Sequence, residues 1–364
     1  MTAPAPDDVV QTHAEAAGNE REPLLVMEPL QAFLAEQGLT ANGGELRAEP
    51  IGNGHSNVTY LVRSGDAELV LRRPPRGPLP PSAHDVLREA RLLRALATTQ
   101  ARVPRVLAIG DDENVIGAPF YVMEHVAGTV VSDAVPPALD SPQERRRMSE
   151  ELVDALVEVH DVDWRACGLG DFSRDPGGYL ERQLRRFGSL WAVLKTREIP
   201  AVEEVGAWLG EHLPRSGAPT VVHGDYRLGN TMMAASAPAQ LVAIFDWEMA
   251  TVGDPLADLG YLCAMWVGHD DPPLPSLFEF GGVTRREGFL GREELVARYE
   301  ERSGRPMTDI RWYRALALWK AAVFMEGNYR RAISGTTDDP WLKGFGDGVV
   351  ELAERARDLT LGGS

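Results

Sequence analysis

The hydrophobic positions in the first third of the chain follow the pattern of β-strands. Segments 58–63 and 68–72 are enriched in β-branched and apolar residues and flank the turn Ser64-Gly65-Asp66, which predicts a hairpin. Two further short strands are predicted at 105–109 and 120–124. We expect these strands to form one small sheet.

One helix is predicted to cross this sheet, over about 83–97 with Ser82 as its cap. Its apolar residues fall on one stripe at helical spacing, and Glu89 lies inside that stripe. A carboxylate on a buried face needs a cationic partner. The pattern therefore predicts that Glu89 pairs with a basic residue.

From residue 141 onward the pattern becomes helical. Ser141 and Glu144 have the spacing of a capping box, and apolar residues then recur on one helix face. Two short apolar strands, 220–222 and 241–245, interrupt the helices, and each leads directly into a loop that carries an aspartate. The strongest helical pattern nearer the end of the chain covers 311–331.

This order of elements predicts an α+β fold with two lobes. Residues 1–25 are polar and lack a sustained period, so we expect a disordered tail. Residues 26–127 should form a small β-rich N-lobe with one crossing helix. Residues 128–364 should form a large, mainly helical C-lobe.

Composition and charge narrow the classes of protein. The chain has 364 residues and a net charge of −17, which opposes binding to nucleic acid or to anionic lipid. It has no apolar run long enough to span a membrane, and its N-terminus lacks the order of a signal peptide, so the expected location is the cytoplasm. The expected oligomeric state is a monomer or a homodimer. Cys167 and Cys263 are expected to be core thiols. Lysine occurs only at Lys195, Lys320 and Lys343.

The strongest chemical signal is the run His223-Gly-Asp225-Tyr-Arg-Leu-Gly-Asn230, followed sixteen residues later by Asp246 at the end of an apolar strand. Phosphoryl transfer from ATP mainly requires a positioned acceptor hydroxyl and a phosphate charge neutralised by Mg²⁺. Asp225 can accept the proton of the acceptor, while Asn230 and Asp246 supply the oxygen ligands that Mg²⁺ prefers. We expect His223 to hold the loop by hydrogen bonds.

The alternative is that these are ordinary turn residues, since Gly, Asp and Asn are common where strands end. For a single loop, the alternative that these are turn residues would be a reasonable explanation. Two such loops in this order and spacing, behind a β-rich lobe, favour a phosphate-transfer site.

Three segments together resemble the aminoglycoside phosphotransferase (choline kinase-like) family, whose fold is protein-kinase-like. They are 51–57, 223–230, and Phe245-Asp246-Trp247-Glu248 with the following 253–259, and the resemblance extends over most of residues 45–335. Within the family, 70–75, 225–230 and Asp246-Trp247-Glu248 are similar to the kinase-like domain fused to some acyl-CoA dehydrogenases.

The resemblance implies that Asp225 is the catalytic aspartate and that Asn230 and Asp246 bind magnesium. It also implies a glycine-rich loop whose backbone approaches the ATP phosphates closely. The residues of that loop are Gly52, Asn53, Gly54, His55, Ser56 and Asn57.

Kinases of this fold usually place a lysine on the third strand, but the N-lobe contains none. In the usual pattern a small apolar residue two positions before the cation packs on the adenine, so Val70 identifies Arg72 as the replacement. Arg72 can bond a carboxylate bidentately, and Glu89 is the candidate. The alternative is that Arg72 is an exposed strand arginine.

The segment between the lobes, 120–128, is expected to contact the adenine edge through backbone groups near Glu124 and Val126. ATP is the expected donor, and GTP stays open. Asp254 and Asp258 are expected to cap backbone amides of the catalytic segment.

The acceptor site must be built by the C-lobe, and the candidate substrate residues are Arg227, Tyr329 and Arg330. Arg227 and Arg330 would suit an anionic acceptor such as a coenzyme A ester and would argue against a polycationic aminoglycoside. The alternative for the aromatic residues of this helix is a place in the core.

The sequence thus predicts an ATP-dependent and Mg²⁺-dependent phosphotransferase that acts on a hydroxyl of a small molecule. The acceptor is either an antibiotic such as an aminoglycoside or a metabolite such as a hydroxyacyl-CoA. Two alternatives stay open: a nucleotide-binding pseudokinase, which the missing lysine suggests, and transfer of AMP instead of phosphate.

Overall fold

The computed structural model of the chain describes residues 8–19, 21–41, 44–52, 57–77, 84–271, 282–335 and 340–362. They divide into two compact units. The first comprises the described residues up to 99 together with 103–127, and the second comprises 100–102 and the residues from 128 onward.

The first unit contains a five-stranded sheet and four helices in its described residues. Its strands are β1 (Val9–Val10), β2 (Leu25–Val26), β3 (Arg47–Pro50), β4 (Val58–Ser64), β5 (Ala67–Arg73), β6 (Val106–Gly110) and β7 (Phe120–Glu124). Its helices are α1 (His13–Ala16), α2 (Met27–Glu36), α3 (Val86–Leu96) and α4 (Glu113–Ile116).

The sheet has the order β3-β4-β5-β7-β6, and each neighbouring pair is antiparallel. The predicted hairpin is confirmed as β4 and β5. Alternate residues of β5 face opposite sides, so Leu69 and Leu71 join the core beneath α2, while Val70 and Arg72 face the other way. This alternation decides which side chains of β5 are available to a ligand.

Helix α3 begins later than the sequence pattern predicted. Its first residue is Val86, and its cap is Asp85, whose carboxylate accepts a hydrogen bond from the amide of Arg88 at 2.9 Å. Aspartate is a strong cap because its side chain satisfies one of the unpaired amides of the first turn. The predicted cap, Ser82, lies outside the described residues.

The expectation of a disordered tail over 1–25 is wrong for its described residues, 8–19 and 21–25. Strand β1 pairs in parallel with β2, and Asp8 forms an ion pair with Arg76 at 2.5 Å. The buried guanidinium of Arg73 donates to the backbone oxygens of Leu24 and Ile116. A polar composition misled the prediction, because the segment is held by basic residues that are distant in sequence.

The second unit is mainly helical. Its strands are β8 (Thr129–Val130), β9 (Thr220–Val222), β10 (Thr231–Met233), β11 (Leu241–Ile244) and β12 (Thr251–Gly253). Its helices are α5 (Pro142–His160), α6 (Tyr179–Leu194), α7 (Pro200–Glu211), α8 (Leu256–Met265), α9 (Arg292–Ser303), α10 (Ile310–Ile333), α11 (Pro340–Lys343) and α12 (Phe345–Thr360).

Helix α10 is the centre of this unit and packs against α6, α7, α8 and α12. Most of its aromatic residues, including Trp312, Tyr313 and Trp319, are buried in the core, as the alternative interpretation of this helix held. The predicted cap of α5 is confirmed, since the Ser141 hydroxyl accepts a hydrogen bond from the Glu144 amide at 3.2 Å.

Cys263 is buried in this unit and Cys167 is partly exposed, and both are free thiols. Among the helices that the structure describes, none is both long enough and apolar enough to cross a bilayer.

Candidate active site

Two pairs of short antiparallel strands in the second unit place the aspartate-bearing loops. Strand β9 pairs with β12 and ends at Val222, directly before His223. Strand β10 pairs with β11 so that Thr231 lies opposite Ile244. The backbone amide of Phe245 donates to the backbone oxygen of Asn230 at 2.9 Å. The pairing therefore places Asn230 beside the start of the loop that carries Asp246.

The carboxylate of Asp225 is held by the side chain of Asn230. The Asn230 amide nitrogen donates to Asp225 Oδ2 at 2.7 Å and to the Asp225 backbone oxygen at 2.8 Å. Arg227 Nε lies 3.7 Å from Asp225 Oδ1. The Asp225 side chain is 25% exposed, so a carboxylate of fixed orientation remains accessible to a reactant.

The imidazole of His223 is buried and joins the two loops. Its Nε2 lies 2.8 Å from the backbone oxygen of Phe245, which can only accept, so Nε2 carries the proton. Nδ1 then accepts a hydrogen bond from the Asp225 amide at 3.2 Å. Both ring nitrogens are thus engaged in holding the loop, which confirms the structural role expected for His223.

The buried carboxylate of Asp258 on α8 lies against the loop that carries Asp225. It accepts hydrogen bonds from the amides of His223 at 2.7 Å and Gly224 at 2.8 Å. His160 Nε2 lies 3.2 Å away, and the other nitrogen of that ring lies 2.6 Å from the Tyr299 hydroxyl. Burial alone would raise the pKa of Asp258, but the hydrogen bond and charge of His160, with the Gly224 amide, lower it.

Asp254 does not share the role that the sequence suggested for both carboxylates. It accepts a hydrogen bond from the Tyr313 hydroxyl at 2.9 Å and one from the Leu256 amide at 3.0 Å. It therefore fixes the start of α8 to α10, because its position after β12 directs it toward that helix. The expectation that a carboxylate caps the catalytic segment is correct for Asp258 alone.

Left-handed backbone conformations occur in both loops. Gly224 has φ +88°, and a β-carbon there would lie 2.9 Å from the Met249 backbone oxygen. Asp246 has φ 65° and ψ 58°, which is uncommon for a residue other than glycine. Such strain persists where the surroundings dictate a conformation, and at Asp246 it sets the direction of a carboxylate that the sequence assigns to the metal.

The donor set of Asn230 and Asp246 fits magnesium. The Asn230 amide nitrogen makes both hydrogen bonds to Asp225, which directs its carbonyl oxygen away from that residue. The described residues contain no cluster of three His, Cys, Asp or Glu side chains that could hold a metal. One carboxylate and one amide oxygen suit Mg²⁺, which keeps several waters and substrate phosphate oxygens in its coordination shell.

In the first unit, the ion pair predicted between Arg72 and Glu89 is present. Arg72 Nε lies 3.0 Å from Glu89 Oε2, and Arg72 Nη1 lies 3.3 Å from the Thr59 hydroxyl. The side chains of Arg72 and Glu89 are 12% and 2% exposed. The alternative of an exposed strand arginine is therefore wrong. Val70, two positions earlier, is buried on the same side of β5.

The glycine-rich loop is described only at its two ends. Gly52 has φ +81°, and Asn57 is buried with its side-chain oxygen 3.2 Å from Nδ1 of His84. The other predicted members, Asn53, Gly54, His55 and Ser56, lie outside the described residues.

The two predicted hinge residues, Glu124 and Val126, have different surroundings. The side chain of Glu124 accepts hydrogen bonds from Nε and the backbone amide of Arg105, at 2.8 and 2.9 Å. Val126 is partly exposed after the end of β7. A contact of adenine with the backbone here stays a prediction.

Two of the three candidate substrate residues, Tyr329 and Arg330, contact the end of α6 and the segment that follows it. The ring of Tyr329 packs under the Arg197 guanidinium, 5.1 Å from its centre, and Arg330 donates to the Val193 backbone oxygen. Val193 is in the last turn of α6, and Arg197 follows that helix. Arg227 lies beside Asp225, and its role as a substrate residue stays a prediction.

Tyr261 of α8, which the sequence analysis did not select, also lies near Asp225, as does Lys320 on the helix that was expected to line the acceptor site. Tyr261 and Lys320 line a small cleft beside Gly224. The signal that could have identified Lys320 is the scarcity of lysine, because a residue used three times in the chain occurs on the helix expected to carry the acceptor.

The fold and the two loops define a kinase-like phosphotransferase. The model of the phosphotransferase enzyme family matches residues 47–315, and the chain belongs to that family. A crystal structure of a provisionally named aminoglycoside phosphotransferase from Ralstonia eutropha JMP134 has a TM-score of 0.78 and 32% identity, covering 92% of this chain and 98% of the other. Choline kinase from Cryptosporidium parvum Iowa II shares the fold, with a TM-score of 0.62 at 10% identity and coverage of 92% and 97%.

Curated relatives place the chain in the branch with the kinase-like domain of acyl-CoA dehydrogenase family members. Mouse acyl-CoA dehydrogenase family member 10 is 35% identical over 88% of this chain and 30% of its own length. Human acyl-CoA dehydrogenase family member 11 is 30% identical over 91% of this chain and 41% of its own length. The chain thus spans less than half the length of these curated relatives.

Proposed function

We propose that the protein transfers the γ-phosphoryl group of ATP to a hydroxyl group of a small molecule. The observation that carries this proposal is the Asp225 carboxylate, which Asn230 orients at 2.7 Å and which remains partly exposed. The Asp258 carboxylate supports the proposal because it fixes the two amides directly before Asp225.

In the proposed reaction, Asp225 accepts the proton of the acceptor hydroxyl as the oxygen attacks the γ-phosphorus. The new bond joins the acceptor oxygen to phosphorus. The bond to the β,γ-bridging oxygen breaks, and its electron pair leaves with ADP. Asn230 holds Asp225 in the orientation that this proton transfer requires.

Asn230 and Asp246 would hold magnesium at this site. When bound, the ion neutralises charge on the phosphate oxygens. The left-handed conformation of Asp246 sets the direction of its carboxylate, and the hydrogen bond from Phe245 to Asn230 keeps the two loops together.

In the first unit, Arg72 would take the place of the usual lysine as the cation for the nucleotide phosphates. The Glu89 carboxylate fixes its guanidinium, and Val70 offers an apolar surface on the same side of the strand. The ion pair weakens the reason for the pseudokinase alternative, since that alternative was suggested by the missing lysine.

For the acceptor we propose a hydroxy acid derivative such as a hydroxyacyl thioester. Several curated relatives are named as acyl-CoA dehydrogenase family members, a name that refers to acyl thioesters of coenzyme A. A kinase-like portion in the same chain would act on the same class of compound. Aminoglycosides are the competing class, because related structures carry that name.

The test is a screen of the purified protein with Mg-ATP against hydroxyacyl thioesters, hydroxy acids, aminoglycosides and simple alcohols, read by mass spectrometry. We expect a product that has gained one phosphate, and we expect Asp225→Ala to abolish its formation. Product formation that Asp225→Ala leaves undiminished would overturn the assignment of Asp225. A product that has gained AMP would replace phosphoryl transfer by nucleotidyl transfer.

A further inference from the structure

The residue that precedes the cap of helix α3 is a histidine in a conformation that histidine rarely adopts. His84 has φ 58°, and the next residue, Asp85, caps the helix. A residue with a β-carbon is strained in this left-handed region, whereas glycine adopts it at little cost. Such strain persists where the surroundings require something of the residue. The contacts of the imidazole ring indicate what is required of His84.

The imidazole of His84 is hydrogen-bonded to Asn57, the last residue of the predicted glycine-rich loop. Its Nδ1 lies 3.2 Å from the Asn57 side-chain oxygen. Asn57 is 4% exposed and directly precedes β4. The hydrogen bond joins residues 27 positions apart, so it ties the described end of that loop to the start of α3.

Asn57 is also close in sequence to a residue that contacts Arg72. Thr59, two positions later on β4, lies opposite Arg72 on β5, and its hydroxyl is 3.3 Å from Arg72 Nη1. Glu89 of α3 pairs with the same guanidinium. The start of α3 and the helix itself therefore make two polar contacts with this part of the sheet. One orients the cation proposed for the phosphates, and the other holds Asn57.

The protonation of His84 decides how the ring acts. Burial and the charge of Arg72 lower the pKa of His84 below its ordinary value of about 6.5, so the ring is neutral near pH 7. A neutral imidazole has one N–H, and the Asn57 oxygen can only accept, so the proton is on Nδ1. Nε2 is then an acceptor, which cannot donate to a phosphate oxygen. This favours an action through Asn57 over a direct contact with phosphate.

The hydrogen bond sets the orientation of the Asn57 amide. A carboxamide has an oxygen that accepts and an NH2 group that donates. Because the His84 N–H engages the oxygen, the NH2 group is directed away from His84. An NH2 group is the end of the amide that can donate to a phosphate oxygen, whereas the oxygen would repel it.

The alternative is that His84 only stabilises the fold. Glycine adopts the left-handed conformation without strain, and asparagine tolerates it better than most residues. Stability alone would therefore favour one of those residues at position 84, and the imidazole is kept at a cost.

We propose that His84 is a positioning residue of the nucleotide site, which orients the amide of Asn57 so that its NH2 group donates to the nucleotide phosphates. The inference rests on the proposed use of ATP, but nucleotide binding can be measured without turnover. It predicts that the imidazole affects the affinity for nucleotide and leaves the affinity for the acceptor unchanged.

The experiment is a double-mutant cycle of His84→Gly and Asn57→Ala. The probe is the magnesium complex of a non-hydrolysable ATP analogue, and calorimetry measures its dissociation constant. Each single substitution should raise that constant by about 10-fold, since each removes the oriented amide. In the Asn57→Ala background, His84→Gly should have a further effect of less than about twofold, because the two residues act through one contact.

Two further variants separate the imidazole from its backbone. His84→Asn should keep part of the affinity, because asparagine tolerates the left-handed conformation and its NH2 group can donate to Asn57. The matched control is His13→Asn, at an exposed histidine of the same unit whose Nε2 lies 2.8 Å from the Asn114 backbone oxygen. It should bind the analogue as the wild type does.

Stability and kinetics distinguish positioning from a structural role. The midpoint of thermal unfolding of His84→Gly should stay within about 4 °C of the wild type, because glycine relieves the backbone strain. With an active acceptor, the KM for ATP should rise and the acceptor KM should change by less than about twofold. A larger fall in the midpoint with equal effects on the two KM values would assign His84 a structural role and overturn the proposal. Unchanged binding in His84→Gly, or effects that multiply in the double variant, would also overturn it.

Failure of the proposed function gives a different result. If the wild type binds the analogue but phosphorylates no acceptor, the phosphotransfer proposal falls, and the binding cycle still decides the role of His84. An unchanged kcat/KM for ATP in His84→Gly would overturn the role of His84 alone. A wild type that binds no nucleotide would overturn both.

Discussion

A buried carboxylate organises each of the two units, but the two carboxylates hold different kinds of partner. Asp258 in the second unit binds the backbone amides of His223 and Gly224, directly before Asp225, and the imidazole of His160. Glu89 in the first unit pairs with the side chain of Arg72. One carboxylate fixes a loop conformation, whereas the other fixes a cation. We therefore expect loss of Asp258 to affect stability most and loss of the Glu89 pair to affect nucleotide use most.

The largest effect should come from Asp225→Asn, which tests the residue that the Asp258 network positions. The substitution keeps the shape of the side chain but removes the group that accepts a proton, so kcat should fall by about 10²- to 10⁴-fold. Steady-state kinetics with the best acceptor would measure this, with the KM for ATP as the control. A wild-type kcat would show that another group accepts the proton.

The next effect concerns the loop anchor. Asp258→Asn should lower the free energy of unfolding by about 3 kcal/mol, because one amide oxygen cannot replace a buried carboxylate with three partners. Urea denaturation measures the change. The matched control is Asp175→Asn, whose exposed carboxylate pairs with Arg182 and should contribute less than about 1 kcal/mol. If Asp258→Asn and Asp175→Asn lowered the free energy of unfolding equally, Asp258 would contribute no more than an exposed ion pair.

The lowered pKa of Asp258 also predicts a dependence on pH. Because its folded pKa lies below the ordinary aspartate value of about 4, its contribution is complete above that pH and is lost as the pH falls through the folded pKa. The stability difference between the wild type and Asp258→Asn should therefore shrink as the pH decreases below about 4. A difference that grows on acidification would contradict the assigned direction of the shift.

The Glu89 side of the comparison is tested by Arg72→Met. We expect kcat/KM for ATP to fall by about 10- to 100-fold, since the substitution removes the cation that we propose for the nucleotide phosphates. Arg72→Lys should keep part of the activity. Glu89→Gln should also lower kcat/KM for ATP, but by less than Arg72→Met does.

The smallest effect is expected from Arg63→Met on the neighbouring strand, which serves as the matched control for Arg72. Its exposed guanidinium pairs with Glu49 and Glu68, each at 2.9 Å. Kinetics should not change, and stability should change by less than about 1 kcal/mol. A similar loss of ATP use in both arginine variants would show that strand stability, not Arg72, is responsible.

The elements of the chain were predictable where periodicity and capping acted locally. The hairpin β4–β5, the Ser141 cap of α5 and the helical character of α10 followed from residue spacing. The start of α3 was misplaced because the prediction took Ser82 as the cap, whereas Asp85, also a capping residue type, caps the helix. The prediction of a disordered tail was wrong for the described residues because their order depends on Arg73 and Arg76. No local pattern in 8–25 reveals these contacts.

The candidate site shows the same division. The Arg72–Glu89 pair could be predicted because strand alternation and helical spacing each select one residue. Tyr261 could not be selected, since its nearness to Asp225 depends on how α8 packs. Arg330 was favoured for its charge alone, and its contact with the end of α6 has no local sequence signature.

The most direct test of the central claim follows the label from ATP. The wild type is incubated with magnesium, an acceptor, and ATP carrying ³²P at either the γ or the α position. The account predicts that γ-label alone appears in the acceptor, and that Asp225→Asn removes the transfer. Transfer of α-label, or no transfer to any acceptor by a folded protein that binds ATP, would contradict it.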